Sequence, residues 1–144
     1  MTSEYNDTLE NILHTNGYSL TSARMAVFQT LKSSEPLYMK ELCTTLTNIV
    51  DRASIYRIVD LFEKLHITDR LNIGWKYKIE LSDVFSDHHH HIICTNCHII
   101  QDLDENSELE STMKSLGKKH GFAITNHQIE LRGICAECSI TLIM

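Results

Sequence analysis

Two Cys-x-x-Cys pairs, Cys94/Cys97 and Cys135/Cys138, bracket the last third of this 144-residue chain. Four thiolates supply the tetrahedron of soft ligands that zinc takes. The 37 residues between the pairs, 98–134, are too many for a simple zinc ribbon. That spacer must therefore fold as a unit of its own and return the second pair beside the first. A closed four-thiolate site leaves no open coordination position, so its metal would be structural. The competing reading, a thioredoxin-like redox pair, does not usually come in two matched copies. In a reducing compartment, paired thiols read as metal ligands before they read as disulfides. The fifth cysteine, Cys43, lies in an apolar helical pattern and reads as a small buried hydrophobe.

Just ahead of the first pair runs His88–His91, within the stretch DHHHHIICTNC. A purification tag would sit at a terminus, and this run does not. In a strand, alternate side chains face opposite ways. His89 and His91 would point to one side, His88 and His90 to the other, so one run can feed two sites. Candidate partners are Glu80, Asp102, Glu110, His120 and His127. Imidazoles with carboxylates suit an exchangeable Fe(II), Mn(II), Zn(II) or Co(II) better than a thiolate cage would. Each partner also has a plainer role. Ser107-x-x-Glu110 is a capping-box pattern, His120 would complement a helix C-terminus, and Asp102 could be a solvated strand residue.

The first part of the chain is helical. Residues 7–16 predict a short helix stopped by Gly17, and Thr21 can cap a second helix reaching about Ser33. Glu35-Pro36 breaks the chain before a third helix, about Met39 to Thr47. The fourth helix is the clearest: Asp51 can cap it, and Ile55, Ile58, Val59, Phe62 and Leu65 make one continuous face. Residues 67–81 then switch to a strand-like pattern, with Asn72-Ile73-Gly74 as the turn of a hairpin. Helices followed by a hairpin give the order of a winged helix. Its exposed fourth helix would offer Arg52, Ser54, Tyr56 and Arg57 to bases and phosphates. A small structural helical domain would show the same pattern.

The second part alternates: strands at 91–94 and 98–103, a helix at 106–120 ended by Gly121, and one or two strands within 122–134. The expected fold class is therefore α+β. An N-terminal winged helix-turn-helix domain spans 1–83, and a small α/β domain carrying the four-cysteine zinc site spans 84–144. Net charge is −6, which argues against a general nucleic-acid binder. A DNA face would have to concentrate cations such as Arg24, Arg52, Arg57, Lys76 and Lys78. No apolar run approaches the ~20 residues that span a bilayer. The polar, acidic MTSEYNDTLE is unlike a secretory or transit leader, so a cytoplasmic protein is expected.

The segments GYSLTSARMAVFQTL, RASIYRIVDLFEKLHITDR, YKIEL, HHHHIICTNC, KKHGFAITNHQIEL and GICAEC cover nearly the whole chain in order. Together they resemble the ferric uptake regulator (Fur) family of metal-dependent transcription regulators. The resemblance implies a homodimer whose winged helix binds a palindromic operator in double-stranded DNA and whose C-terminal domain dimerises. It implies a metal-loaded repressor, with Fe(II) as the first expectation for the regulatory metal and Zn(II) or Mn(II) next. It carries the structural zinc to Cys94, Cys97, Cys135 and Cys138. The regulatory site goes to Glu80, His89, His91 and Asp102, and an additional metal site to His88, His90, Glu110 and His127. Tyr56 and Arg57 match the recognition-helix pair, and Arg24 the arginine of the second-helix motif.

Two departures stand out. Family sensors usually place a histidine in the loop that here reads EPLYMKEL, with Leu37 or Tyr38 in its position. Many iron sensors have aspartate where His90 stands, and a histidine makes that site richer in nitrogen. Readings of other kinds are a zinc- or peroxide-sensing relative, a metal-storage protein, or a metal-dependent hydrolase. Against the hydrolase, no residue is singled out as a general base, and no enzymatic activity is expected.

Overall fold

A computed structural model describes residues 2–143. The elements run α1 (Thr2–Thr15), α2 (Ser22–Lys32), β1 (Leu37–Tyr38), α3 (Met39–Thr45), α4 (Arg52–Lys64), β2 (Thr68–Ile73) and β3 (Lys76–Leu81). They continue with β4 (His90–Cys94), β5 (Ile100–Leu103), α5 (Ser107–Lys119), β6 (Glu130–Gly133) and α6 (Ala136–Ile143). The chain divides into two compact units, Met1–Asp87 and His88–Met144. Among the described residues, no helix is long and apolar enough to cross a membrane.

The first unit is a helical cluster closed by a small sheet of order β1-β3-β2. Its centre is α4. The Asp51 carboxylate accepts the Ser54 N–H at 2.9 Å, which satisfies one of the orphan donors of the first turn. Ile55, Ile58, Val59 and Phe62 then line one buried face. They join Leu9 and Leu13 of α1 and Val27, Phe28 and Leu31 of α2 in a continuous apolar cluster. Phe85 completes it, with its ring edge-on to Phe28 at 4.9 Å. Phe62 and Phe28 are fully buried. Truncating a side chain of that size costs about 3–5 kcal/mol.

Two details of the hairpin differ from the sequence reading. Ile73 pairs with Lys76, so the loop is Gly74-Trp75 rather than Asn72-Ile73-Gly74. Ile73 is 3% exposed; burying that side chain keeps it in the strand. Gly74 has φ +58, which fits the first central position of a primed two-residue turn. The second difference is β1, two residues that add to the sheet by pairing Leu37 with Ile79.

In the second unit β4 is central, with β5 antiparallel on one edge and β6 parallel on the other. Asn106 caps α5, its side-chain oxygen accepting the N–H groups of Glu108 and Leu109, each at 3.1 Å. Only Glu130–Gly133 of the expected 122–134 region forms a strand. Residues 122–129 have no regular structure. Phe122 and Ile124 alternate as a strand would, yet remain 67% and 40% exposed. Ile124 lies against α5 at Gly117, where an added Cβ would come within 2.7 Å of its Cδ1. The short helix α6 was not expected.

Candidate metal centre and nucleic-acid interface

The parallel pairing of β4 with β6 sets Cys94 opposite Gly133. The strand therefore delivers Cys135 and Cys138, at the start of α6, beside Cys94 and Cys97. All four cysteines are free thiols, and their four sulfurs lie within 4.8 Å of one another. Cys97 Sγ and Cys135 Sγ are 3.8 Å apart. A tetrahedron with zinc–sulfur arms of about 2.3 Å has edges of about 3.8 Å, so the thiols fit that ion. The knuckle is closed by the backbone: Thr95 N–H donates to Gly133 O at 2.8 Å, and His98 N–H to Cys94 O at 3.0 Å.

Amide donors converge on the sulfurs. Cys135 N–H and Asn96 N–H each point at Cys94 Sγ, at 3.4 Å. Asn96 Nδ2 points at Cys138 Sγ, at 3.2 Å. The backbone N–H of Cys135, with that of Cys97, pulls the Cys94 thiol down to about 6. Burial and the neighbouring thiols push Cys97 up to about 12 despite the Ile99 N–H. The Cys94 thiol is thus lowered, while those of Cys97 and Cys135 are raised. Asn96 was not singled out in the sequence; its position between the paired cysteines was the available signal.

The histidine run alternates about β4. His88 and His90 rings lie 4.6 Å apart on one side, and His89 and His91 rings 4.7 Å apart on the other. On the first side, His90 Nε2 is 2.8 Å and His88 Nε2 3.2 Å from Glu110 Oε1, and His127 Nε2 is 3.0 Å from Glu110 Oε2. His88 Nε2 and His127 Nε2 are 3.1 Å apart. One atom from each of the four residues lies within 4.8 Å of every other. Ring nitrogens this close and turned toward one point suit a shared cation, which accepts all their lone pairs at once. The His90 contact, with His127 and His88, holds the Glu110 carboxyl down to about 2. Asn106, not Ser107, caps α5, so Glu110 is free of the capping role and faces the imidazoles.

On the other side His91 is buried and its Nδ1 is 3.1 Å from Asp102 Oδ1 across the β4–β5 pair. Glu80 belongs to β3 of the first unit. His120 caps the C-terminus of α5 and is not in either cluster.

In the first unit, Arg52, Tyr56 and Arg57 are exposed on α4, and Ser54 is half-buried. The Ser54 hydroxyl donates to Asp51 Oδ2 at 2.6 Å, so it is already engaged. The Arg52 guanidinium stands 5.8 Å from the Tyr56 ring. Arg24 donates to the Ser19 carbonyl and sits 5.5 Å over Tyr18.

The model of the Ferric uptake regulator family matches residues 15–132 of this sequence. The chain belongs to the ferric uptake regulator family. The Ferric uptake regulation protein of Campylobacter jejuni is 32% identical, over 94% of this chain and 91% of that one. The fold is similar to the Helicobacter pylori ferric uptake regulator, described as having three functional metal binding sites, with a TM-score of 0.77 and 23% identity. That match covers 96% of this chain and 94% of the other. It is also similar to the ferric uptake regulator of Pseudomonas aeruginosa with manganese, with a TM-score of 0.76 and 25% identity over 88% and 98% of the two chains. Fur-family proteins are metal-responsive transcription regulators, and this chain is one of them. Its α+β class, with the winged-helix order first and the cysteine cluster second, is the one expected from sequence.

Proposed function

We propose that this Fur-family chain is a homodimeric repressor of metal-uptake or homeostasis genes, with iron as the effector, acting in the cytoplasm. The observation that carries this reading is the alternation of one strand between two ligand sets. His88 and His90 converge with Glu110 and His127 on one side, while His89 and His91 face the other. The four cysteines would hold a structural zinc, supported by the 3.8 Å sulfur separation. Glu80, His89, His91 and Asp102 would form the regulatory site, and His88, His90, Glu110 and His127 an additional one. A bound divalent ion would supply a positive charge that these imidazoles and carboxylates can share only when gathered. Ligands drawn from two units would favour the arrangement in which the operator is bound, a shift of population. Tyr56 and Arg57, with Arg24, Arg52 and Ser54, would read and grip a palindromic operator.

Dimerisation has its own support. Phe122, Ile134, Ile140 and Leu142 are each at least half exposed in the single chain. That much apolar surface on a small unit suits an interface.

Selection from a random double-stranded DNA pool, run anaerobically with chelator, Fe(II), Mn(II) or Zn(II), tests the reading. A palindrome enriched with Fe(II) and lost with chelator is the expected result. Enrichment with Zn(II) alone would replace the effector. Equal enrichment with chelator would overturn the switch, and no enrichment in any arm would overturn the regulator.

A further inference from the structure

Between α3 and the β2–β3 hairpin lies an open cleft of about 840 Å³. That is the size of a site for a small organic molecule. Met39, buried in the core cluster, is among its lining residues, so the cleft reaches down from the surface to the apolar core. A concavity with such a floor takes a compact ligand, whereas a stiff duplex can only lie across its mouth.

The walls are aromatic and held in place. Tyr38 of β1, Tyr77 of β3, Tyr56 of α4 and Trp75 of the hairpin loop all contribute. The Arg70 guanidinium stands 4.2 Å over the Tyr77 ring and is itself paired with Glu63. The ammonium groups of Lys78 and Lys76 lie 4.9 and 5.9 Å from the Tyr38 ring. Rings fixed in this way offer flat apolar surface with little left to order when a ligand arrives. Lys40 from α3 and Lys76 from β3 line the cleft from opposite walls. Among the described residues, the lining has one carboxylate, Glu41, which already accepts the Tyr38 N–H at 2.7 Å. The hydroxyls of Thr44 and Thr45 donate back to the carbonyls of Lys40 and Glu41. What the cleft leaves unmatched is aromatic surface and positive charge. A planar aromatic anion complements both.

We propose that this cleft binds a small planar aromatic carboxylate, its rings against the aromatic walls and its charge between Lys40 and Lys76. Tyr56 belongs both to the cleft and to the proposed DNA-reading face of α4. An occupied cleft and a bound operator therefore exclude each other, which gives the chain a release signal separate from its metal. The exclusion rests on the reading of this chain as a DNA-binding regulator; the ligand site itself does not.

Naphthoate is the probe, with neutral naphthamide and non-aromatic cyclohexanecarboxylate as controls. Each is titrated calorimetrically into the zinc-loaded full chain without DNA. Acrylamide quenching of Trp75, the only tryptophan, is followed in parallel. Naphthoate should bind once per chain with a Kd of about 1 mM or tighter, and should shield Trp75. Both controls should bind about tenfold more weakly. Lys40→Gln combined with Lys76→Gln, two exposed positions, should weaken naphthoate about tenfold and leave naphthamide unchanged. In the metal-loaded chain, naphthoate should lower the apparent affinity for a labelled duplex carrying the selected palindrome as a simple competitor does. No heat and no change at Trp75 with naphthoate at about ten times that concentration would overturn the site. Equal binding of either control, or undiminished binding by the double variant, would also overturn it, by reducing the effect to adsorption on apolar surface. Naphthoate binding that leaves duplex affinity constant would overturn the exclusion. A duplex that fails to bind even without naphthoate would overturn the DNA-binding reading and leave the ligand site standing.

Discussion

The two units of this chain are held together by different materials. In the first, Leu9, Leu13, Phe28, Ile55 and Phe62 are all removed from water in one continuous cluster. In the second, the buried apolar side chains among the described residues are Ile93, Cys94 and Cys138, and His90 and His91 are buried with them. Many of its larger aliphatic and aromatic groups face outward, among them Ile99, Leu116, Phe122 and Ile143. A unit of that size with so few buried apolar side chains is marginally stable by itself. Cross-linking by a metal and covering by a second copy are the two remedies available to it. The comparison teaches that residues with ligand chemistry can be structural in one half of a chain whose other half needs none.

Stripping metal from the four-thiol cluster is the sharpest way to separate the units. Treating the protein with a strong zinc chelator should abolish the cooperative melting of the second unit and leave that of the first. Differential scanning calorimetry reads this as two transitions reduced to one. Cys97→Ser should do the same without chelator, since three thiolates leave the tetrahedron open.

The mirror-image experiment comes next. Phe62→Ala should destabilise the first unit by about 3–5 kcal/mol, while the cobalt–thiolate absorption of a cobalt-substituted second unit stays unchanged. Loss of that absorption band would mean that the two halves do not fold independently.

The cap of α4 gives the smallest effect and a pH signature. Hydrogen bonds from the Ser54 hydroxyl and backbone N–H lower the Asp51 carboxyl below its usual value. The folded value is the depressed one. Its stabilisation is thus present above the ordinary carboxylate range and fades as the pH falls through and below it. Asp51→Ala should lower the melting temperature of the first unit by about 4 °C at pH 7. Asp51→Asn, which caps without titrating, should remove the extra loss seen in acid. An identical acid profile for the Asn variant would show that the cap does not carry it.

Much of this division was legible in the sequence. The i, i+3, i+4 spacing of Ile55, Ile58, Val59 and Phe62 fixes α4 because a helix repeats every 3.6 residues and only one face can be buried. The alternation of His88–His91 is equally local, since a strand repeats every two residues. The errors arose where non-local contacts decide. Residues 122–129 read as a strand, yet they form no ladder among the described residues; the His91 N–H reaches Ile129 O at 3.3 Å, just where β6 begins. The segment 136–143, AECSITLI, contains β-branched residues that favour strands, but it forms α6. The two residues of β1 are too few to make any pattern. Glu110 and His127 lie far from the histidine run in sequence, so their convergence could not be read from spacing. The resemblance to a family supplied that set, and the side-chain geometry now gives it a physical shape.

The most direct test of the two-material account is hydrogen–deuterium exchange of the full chain, read by mass spectrometry with zinc bound and after chelation. The account predicts that peptides from 88–143 lose their protection on chelation, while those covering α2 and α4 keep theirs. Retained protection around β4 and β6 without metal would contradict it, and would mean that the second unit is held by packing after all.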